Sequence, residues 1–136
     1  VSGDLAAFYG ARLDEDEAAA KACESPSPWK AADHESDTWI VTDADGDPLI
    51  YDEGTPSLAE AAHIACHDPA RVLREVAAGR KLLAAYQAVV EECHTMELKV
   101  DRRPRKYGEH DGLHLAIRIR AAVYSDCKGY RQEWKP

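Results

Sequence analysis

Apolar positions near the start of the chain fall at helical intervals. Leu5, Phe8, Tyr9, Leu13, Ala20 and Cys23 share one face, which predicts a helix from Asp4 to about Cys23. The run Asp14-Glu15-Asp16-Glu17 lies mostly on its solvated side. Ser25-Pro26-Ser27-Pro28 stops it, because proline cannot continue a helix and restricts the residue before it. Trp29 then folds back onto the core. Thr38-Trp39-Ile40-Val41 and Leu49-Ile50-Tyr51 read as two short strands, joined through Asp43-Ala44-Asp45-Gly46-Asp47-Pro48 as a β-hairpin. The three aspartates of that turn lack the ligand spacing and the bidentate glutamate of a calcium loop.

A second helical stretch opens at Thr55-Pro56-Ser57, with Ser57 as N-cap and Glu60 as its capping-box partner, and runs to about His67. Asp68 caps the next helix and Pro69 takes its first position. Val72, Val76, Leu83, Tyr86, Val90 and Cys93 form a stripe in steps of three and four, interrupted by Gly79. This predicts a helix to about Thr95, about 40 Å long at 1.5 Å per residue. Residues 99–111 read as a basic loop. From Leu113 to Tyr124 two periods compete. Leu113, Leu115, Ile117 and Ile119 alternate as in a strand, while Leu113, Ile117, Ala121 and Tyr124 fit a helix, which Ala121-Ala122 favours. The tail, 127–136, carries Tyr130 and Trp134, so part of it docks. The expected fold is α+β, mainly α: a long central helix packed with N-terminal and C-terminal helices, plus one short β-hairpin.

Composition narrows this picture. A chain of 136 residues fits one domain with one core, 1–136. Abundant alanine and a single phenylalanine favour close-packed helices. No apolar run approaches the roughly 20 residues of a membrane span, and Val1-Ser2-Gly3-Asp4 lacks the regions of a signal peptide. The four cysteines are far apart, which points to reduced thiols and the cytoplasm.

Charge is unevenly divided. Residues 1–68 hold 16 acids and 3 bases, whereas residues 69–136 hold 9 acids and 14 bases. Such a chain pairs its halves internally, or offers an acidic face through Asp14, Glu15, Asp16 and Glu17 to a protein with a basic surface. Arg102, Arg103, Arg105 and Lys106 are candidates for phosphate contact. They lack a glycine-rich cradle, and the overall acidity argues against nucleic acid.

Two histidine groups carry potential chemistry. Cys93, His94, His110 and His114 would meet if the last element returned antiparallel to the long helix. His110 and His114 share a face, as zinc ligation requires. Against this, Cys93 lies on the apolar stripe, and neighbouring residues of a helix point about 100° apart. The second group is His63, His67, Asp68 and Cys66, with Asp126 or Cys127 as further members. Histidines four apart suit metal binding or acid–base work. Ile64 stands where the glutamate of a metalloprotease motif would be. Cys66 beside a histidine is a nucleophile pair only if folding orients them. Structural use, such as helix capping, competes with each of these readings.

Several segments together resemble a known family. They are Ala11 to Glu17, Pro28-Trp29, Asp45-Gly46 to Asp52-Glu53-Gly54, Ala61 to Val76, and Tyr124-Ser125-Asp126 through Tyr130 to Glu133-Trp134. The set is similar to a family of small uncharacterised proteins from actinobacteria and their phages, a domain of unknown function. The resemblance implies a cytosolic protein and no particular activity. It also implies a Cys-x-x-Cys pair in the variable interval and a later cysteine. This sequence departs from that pattern: only Cys93, beside His94, stands where the pair would lie, and His114 stands at the position of the later cysteine.

With no complete catalytic constellation in view, the leading expectation is a small acidic binding or regulatory protein acting by protein–protein contact. The alternative is a zinc-binding protein, structural or hydrolytic, that uses a Cys/His cluster.

Overall fold

A computed structural model describes residues 2–34, 38–49, 57–95 and 103–136. The elements in chain order are α1 (Ser2–Ala22), β1 (Lys30–His34), β2 (Thr38–Thr42), α2 (Leu58–Cys66), α3 (Pro69–His94) and α4 (Arg103–Ala121). Short 3-10 turns follow at Ala122–Tyr124 and Gln132–Trp134. The chain is α+β and mainly α, as its periodicity indicates. It divides into two compact units, residues 1–15 with 76–136, and residues 16–75. Helices α1 and α3 each contribute residues to both.

In the first unit, three helices and the tail enclose a core of large side chains. Leu5, Tyr9 and Leu13 recur every fourth residue on α1 and are buried with Val76, Tyr86 and Val89 of α3 and Ile117 of α4. Burying a side chain of this size contributes roughly 1.5–3 kcal/mol. The i, i+4 spacing on α1 places all three on the face toward the core. Gly10 meets Leu83, where an added Cβ would stand 3.4 Å from its Cδ2. The tail docks through Trp134, 3% exposed, whose ring lies 5.2 Å from Phe8 and 5.8 Å from Tyr130.

The interval 113–124 is helical up to Ala121 and finishes in the 3-10 turn. The basic stretch expected as a loop, 99–111, is helical from Arg103 onward, and 99–102 lie outside the described residues. Pro104 is compatible with a first turn because no intrahelical N–H bond is needed there. Lys106 then anchors that turn, its Nζ 2.6 Å from Glu92 and 3.1 Å from Glu109. Both contacts hold the Lys106 ammonium above its ordinary value, Glu92 more than Glu109.

In the second unit, β1 and β2 pair antiparallel with Ala31 opposite Val41 and Asp33 opposite Trp39. Lys30–His34 is thus a strand partner of β2 that the sequence pattern did not predict. Alternation puts Ala31, Trp39 and Val41 on one face, where they pack with Ala61, Ile64 and Ala65 of α2, Trp29 and Leu49. The small alanines of β1 have weak strand propensity, and packing under α2 outweighs it. The turn after β2 is still read correctly. Asp43 Oδ1 accepts the N–H groups of Asp45 and Asp47, both at 3.0 Å, and Gly46 takes φ +90°. Leu49 N–H then donates to Val41 C=O at 2.8 Å, so the chain does return along β2, as expected. Residues 50–51 of the expected strand lie outside the described residues.

Candidate metal centre

The site is built from the corner between α2 and α3. Ser57 caps α2, since its Oγ accepts Glu60 N–H at 3.3 Å while Glu60 Oε2 accepts Ser57 N–H at 2.8 Å. These bonds hold the Glu60 carboxyl below its ordinary value. Ala61 and Ala65 face the core and are buried, which turns His63, Cys66 and His67 outward at the last turn.

The start of α3 is fully accounted for. Its first N–H groups have no intrahelical partners and need others. Pro69 has none to satisfy. Ala70 N–H donates to Ser27 Oγ at 3.2 Å, Arg71 N–H to Asp68 Oδ1 at 2.8 Å, and Val72 N–H to Asp68 C=O at 3.1 Å. Asp68 Oδ2 also accepts Trp29 N–H at 3.3 Å. Asp68 is thereby committed to capping, as its place before Pro69 suggests. The Ser-Pro segment that ends α1 has a second use, supplying Ser27 to the same helix start.

At the end of α2 the backbone carbonyls are the unsatisfied groups. His67 N–H donates to Ile64 C=O at 3.1 Å, so His63 C=O is left to side chains. It accepts from Cys66 Sγ at 3.3 Å and lies 2.9 Å from His67 Nδ1. Cys66 Sγ is 3.1 Å from the same Nδ1. The His63 and His67 rings lie 4.5 Å apart. One ligand atom from each of His63, Cys66 and His67 falls within 4.8 Å of the others, and all three residues are exposed.

Arg71 closes the arrangement from one turn into α3. Its Nη1 donates to Cys66 C=O at 3.1 Å and to Cys66 Sγ at 3.4 Å, while its Nε donates to Glu75 at 2.9 Å. The Glu75 bond chiefly raises the Arg71 guanidinium above its ordinary value, and Cys66 adds to that. Sequence reasoning missed Arg71. Its only signals were an offset of five from Cys66 across a helix start and Glu75 four residues on. His67 also borders a shallow cleft of about 260 Å³ lined by Asp16, Ala19, Cys23, Trp29 and Val72.

The other histidine group is arranged differently. His110 and His114 stack at 6.0 Å and both lie against Tyr86, at 5.6 and 5.8 Å. His110 Nδ1 pairs with Asp111 at 3.1 Å. Burial above all, then His110 and Arg118, lowers the His114 pKa from its ordinary 6.5. His94 is exposed and its Nδ1 lies 2.8 Å from Val90 C=O, while Cys93 is half-buried. Cys93, His94, His110 and His114 do not assemble into a set of three ligand atoms. Among the described residues, His63, Cys66 and His67 form such a set. Asp126 and Cys127 belong to the other unit.

The charged candidates are largely engaged within the chain. Asp14 pairs with Arg80 at 2.8 Å, Glu15 with Arg12 at 2.5 Å and Glu17 with Lys21 at 2.6 Å; Asp16 is engaged as well. Arg105 is exposed on α4, whereas Arg102 lies outside the described residues.

Residues 2–136 match the Family of unknown function (DUF6221). The chain belongs to that family. No curated protein and no solved structure matches it. Among the described residues of this DUF6221 protein, no helix is long and apolar enough to cross a membrane.

Proposed function

We propose that this DUF6221 protein binds zinc, holding the ion at the end of α2 through His63, Cys66 and His67. The observation that carries the reading is the convergence of two imidazoles and a thiol within 4.8 Å on one helical turn. Nitrogen and sulfur donors suit zinc and other late transition metals, and calcium and magnesium prefer oxygen. Tetrahedral zinc, with bonds of about 2.0–2.3 Å, spaces its ligands about 3.5 Å apart, so the exposed side chains need only a small closing movement. A proton on His67 Nδ1, donated to His63 C=O, leaves the Nε2 lone pair for the metal. Binding replaces the Cys66 thiol's contact with His63 C=O by a metal–thiolate bond. Arg71 beside the sulfur is a cost to a cation, and Glu75 offsets it.

Three protein ligands leave a fourth position for water or for a donor group of a bound molecule. Four free cysteines suit a reducing compartment. Together with the sequence resemblance to actinobacterial and phage proteins, this supports a bacterial cytoplasm. Contact with a basic protein through Asp14 to Glu17 has less behind it, since that run spends its charge on Arg80, Arg12 and Lys21.

The test is elemental analysis of untagged protein purified without chelator, followed by cobalt titration of the metal-free form. The expected result is one zinc per chain and a thiolate-to-cobalt charge-transfer band that Cys66→Ser abolishes. His63→Ala and His67→Ala weaken binding, and His110→Ala with His114→Ala leaves it unchanged. Failure to take up either metal, or a site indifferent to Cys66→Ser, overturns the reading.

A further inference from the structure

One cationic group stands beside the three ligands with a donor edge still unspent. Arg71 is fixed by three bonds: from Nη1 to Cys66 C=O at 3.1 Å and to Cys66 Sγ at 3.4 Å, and from Nε to Glu75 Oε1 at 2.9 Å. Among the described residues its Nη2 has no partner, and the side chain is 41% exposed. The neighbouring backbone donors are taken. Ala70 N–H is bonded to Ser27, and the N–H groups of Arg71 and Val72 are bonded to Asp68. An anion arriving at this corner therefore meets the guanidinium edge, not the start of α3.

We infer, on the basis of zinc binding at His63, Cys66 and His67, that the fourth position of the metal takes an oxyanion, a carboxylate or phosphate group, whose second oxygen is held by Arg71. The distances allow such a bridge. Zinc bonds a thiolate at about 2.3 Å and Arg71 Nη1 lies 3.4 Å from the same sulfur, so metal and nitrogen stand at most about 5.7 Å apart. A Zn–O bond of about 2.0–2.2 Å and a charge-assisted N–H···O bond of about 2.7–2.9 Å leave a gap that the two oxygens of one oxyanion fill. Charge selects the same occupant. A divalent ion and a guanidinium this close repel each other, and an anion between them replaces that repulsion by two attractions. The planar fork of arginine matches carboxylate and phosphate oxygens, whereas a neutral donor gains nothing from it. Because Cys66 and Glu75 already hold the guanidinium, little side-chain entropy is lost when the ligand arrives.

The test uses the cobalt-loaded full chain in a non-coordinating buffer. It is titrated with acetate, with inorganic phosphate and, as a neutral donor, with imidazole. The visible d–d bands report each change at the fourth position. At least one of the two anions is expected to shift them saturably. Arg71→Gln is expected to weaken that binding roughly tenfold or more and to leave imidazole binding unchanged. The Cys66 charge-transfer band persists in the variant, which shows that fold and metal are intact. Arg71→Lys, which keeps the charge but not the fork, recovers part of the affinity. A stronger response to phosphate assigns a phosphorylated ligand and a stronger response to acetate a carboxylate, and both support the bridge. Bands that move with neither anion overturn it. So does an anion response that Arg71→Gln leaves at full strength. Both of those results leave zinc binding standing, whereas the absence of any charge-transfer band overturns zinc binding and the bridge together.

Discussion

Gly79 lies directly beneath the Tyr9 hydroxyl: a Cβ added at Gly79 would stand 2.6 Å from that oxygen and 2.9 Å from Leu13 Cδ2. The long helix α3 carries a glycine in its interior because α1 crosses it there. Gly79→Ala gains up to about 1 kcal/mol of helix propensity. The crowding of Tyr9 and Leu13, both buried, costs about 1–3 kcal/mol. Net destabilisation is expected, read as a lower urea midpoint. Among the described residues the Tyr9 hydroxyl is buried without a hydrogen-bond partner. Tyr9→Phe is therefore expected to be close to neutral, and Gly79→Ala to cost less in that background. Strict additivity in the cycle would refute the contact.

Asp68 serves three backbone or capping contacts while only 6% exposed. Asp68→Ala strips the cap from Arg71 N–H and leaves Trp29 N–H unpaired, for a loss of about 2–3 kcal/mol. Asp68→Asn retains an acceptor and loses less. Thermal melts of both variants check the order. Equal losses would show that the cap oxygen is not what matters.

Trp134 ties the tail to the first unit. Its carbonyl accepts from Arg118 Nε at 3.1 Å, and Arg118 Nη2 reaches Lys135 C=O as well. Trp134→Ala is expected to cost about 3–5 kcal/mol, as for other large-to-small core changes. Trp134→Phe is expected to cost far less, because the indole N–H is buried without a partner among the described residues. Denaturant unfolding separates the two, and a mild Trp134→Ala effect would mean that the tail does not dock in solution.

His114 supplies a pH dependence whose sign follows from its depressed pKa. The unfolded chain protonates this residue near pH 6.5, and the folded chain only at lower pH. Between those values the unfolded state binds more protons, so stability falls as pH falls from about 6.5 through the folded pKa. Above that window the group contributes no slope. His114→Gln is expected to flatten this part of the profile. Urea midpoints at several pH values for both proteins measure it, and an unchanged slope would reject the assignment.

Local signals alone determined much of this protein. The Leu5-Tyr9-Leu13 spacing, the Ser57–Glu60 box, the Asp68-Pro69 start of α3 and the Asp43 turn each act within a few residues. Backbone hydrogen bonding and helical geometry make such signals readable along the chain. What stood beyond reach depended on partners far apart in sequence. Lys30–His34 is a strand because β2 and α2 cover its alanines, not because its residues favour one. The stretch from Arg103 extends α4 in part because Glu92, on another helix, holds Lys106. The histidines divide in the same way. Cys93, His94, His110 and His114 lie near one another along α3 and α4, but Tyr86 stacks against the His110 and His114 rings. His63, Cys66 and His67 come together because one helical turn ends there, and Arg71 joins them because α3 begins at Asp68. Sequence periodicity decides which face of an element is apolar, whereas only the packed structure decides which groups that face meets.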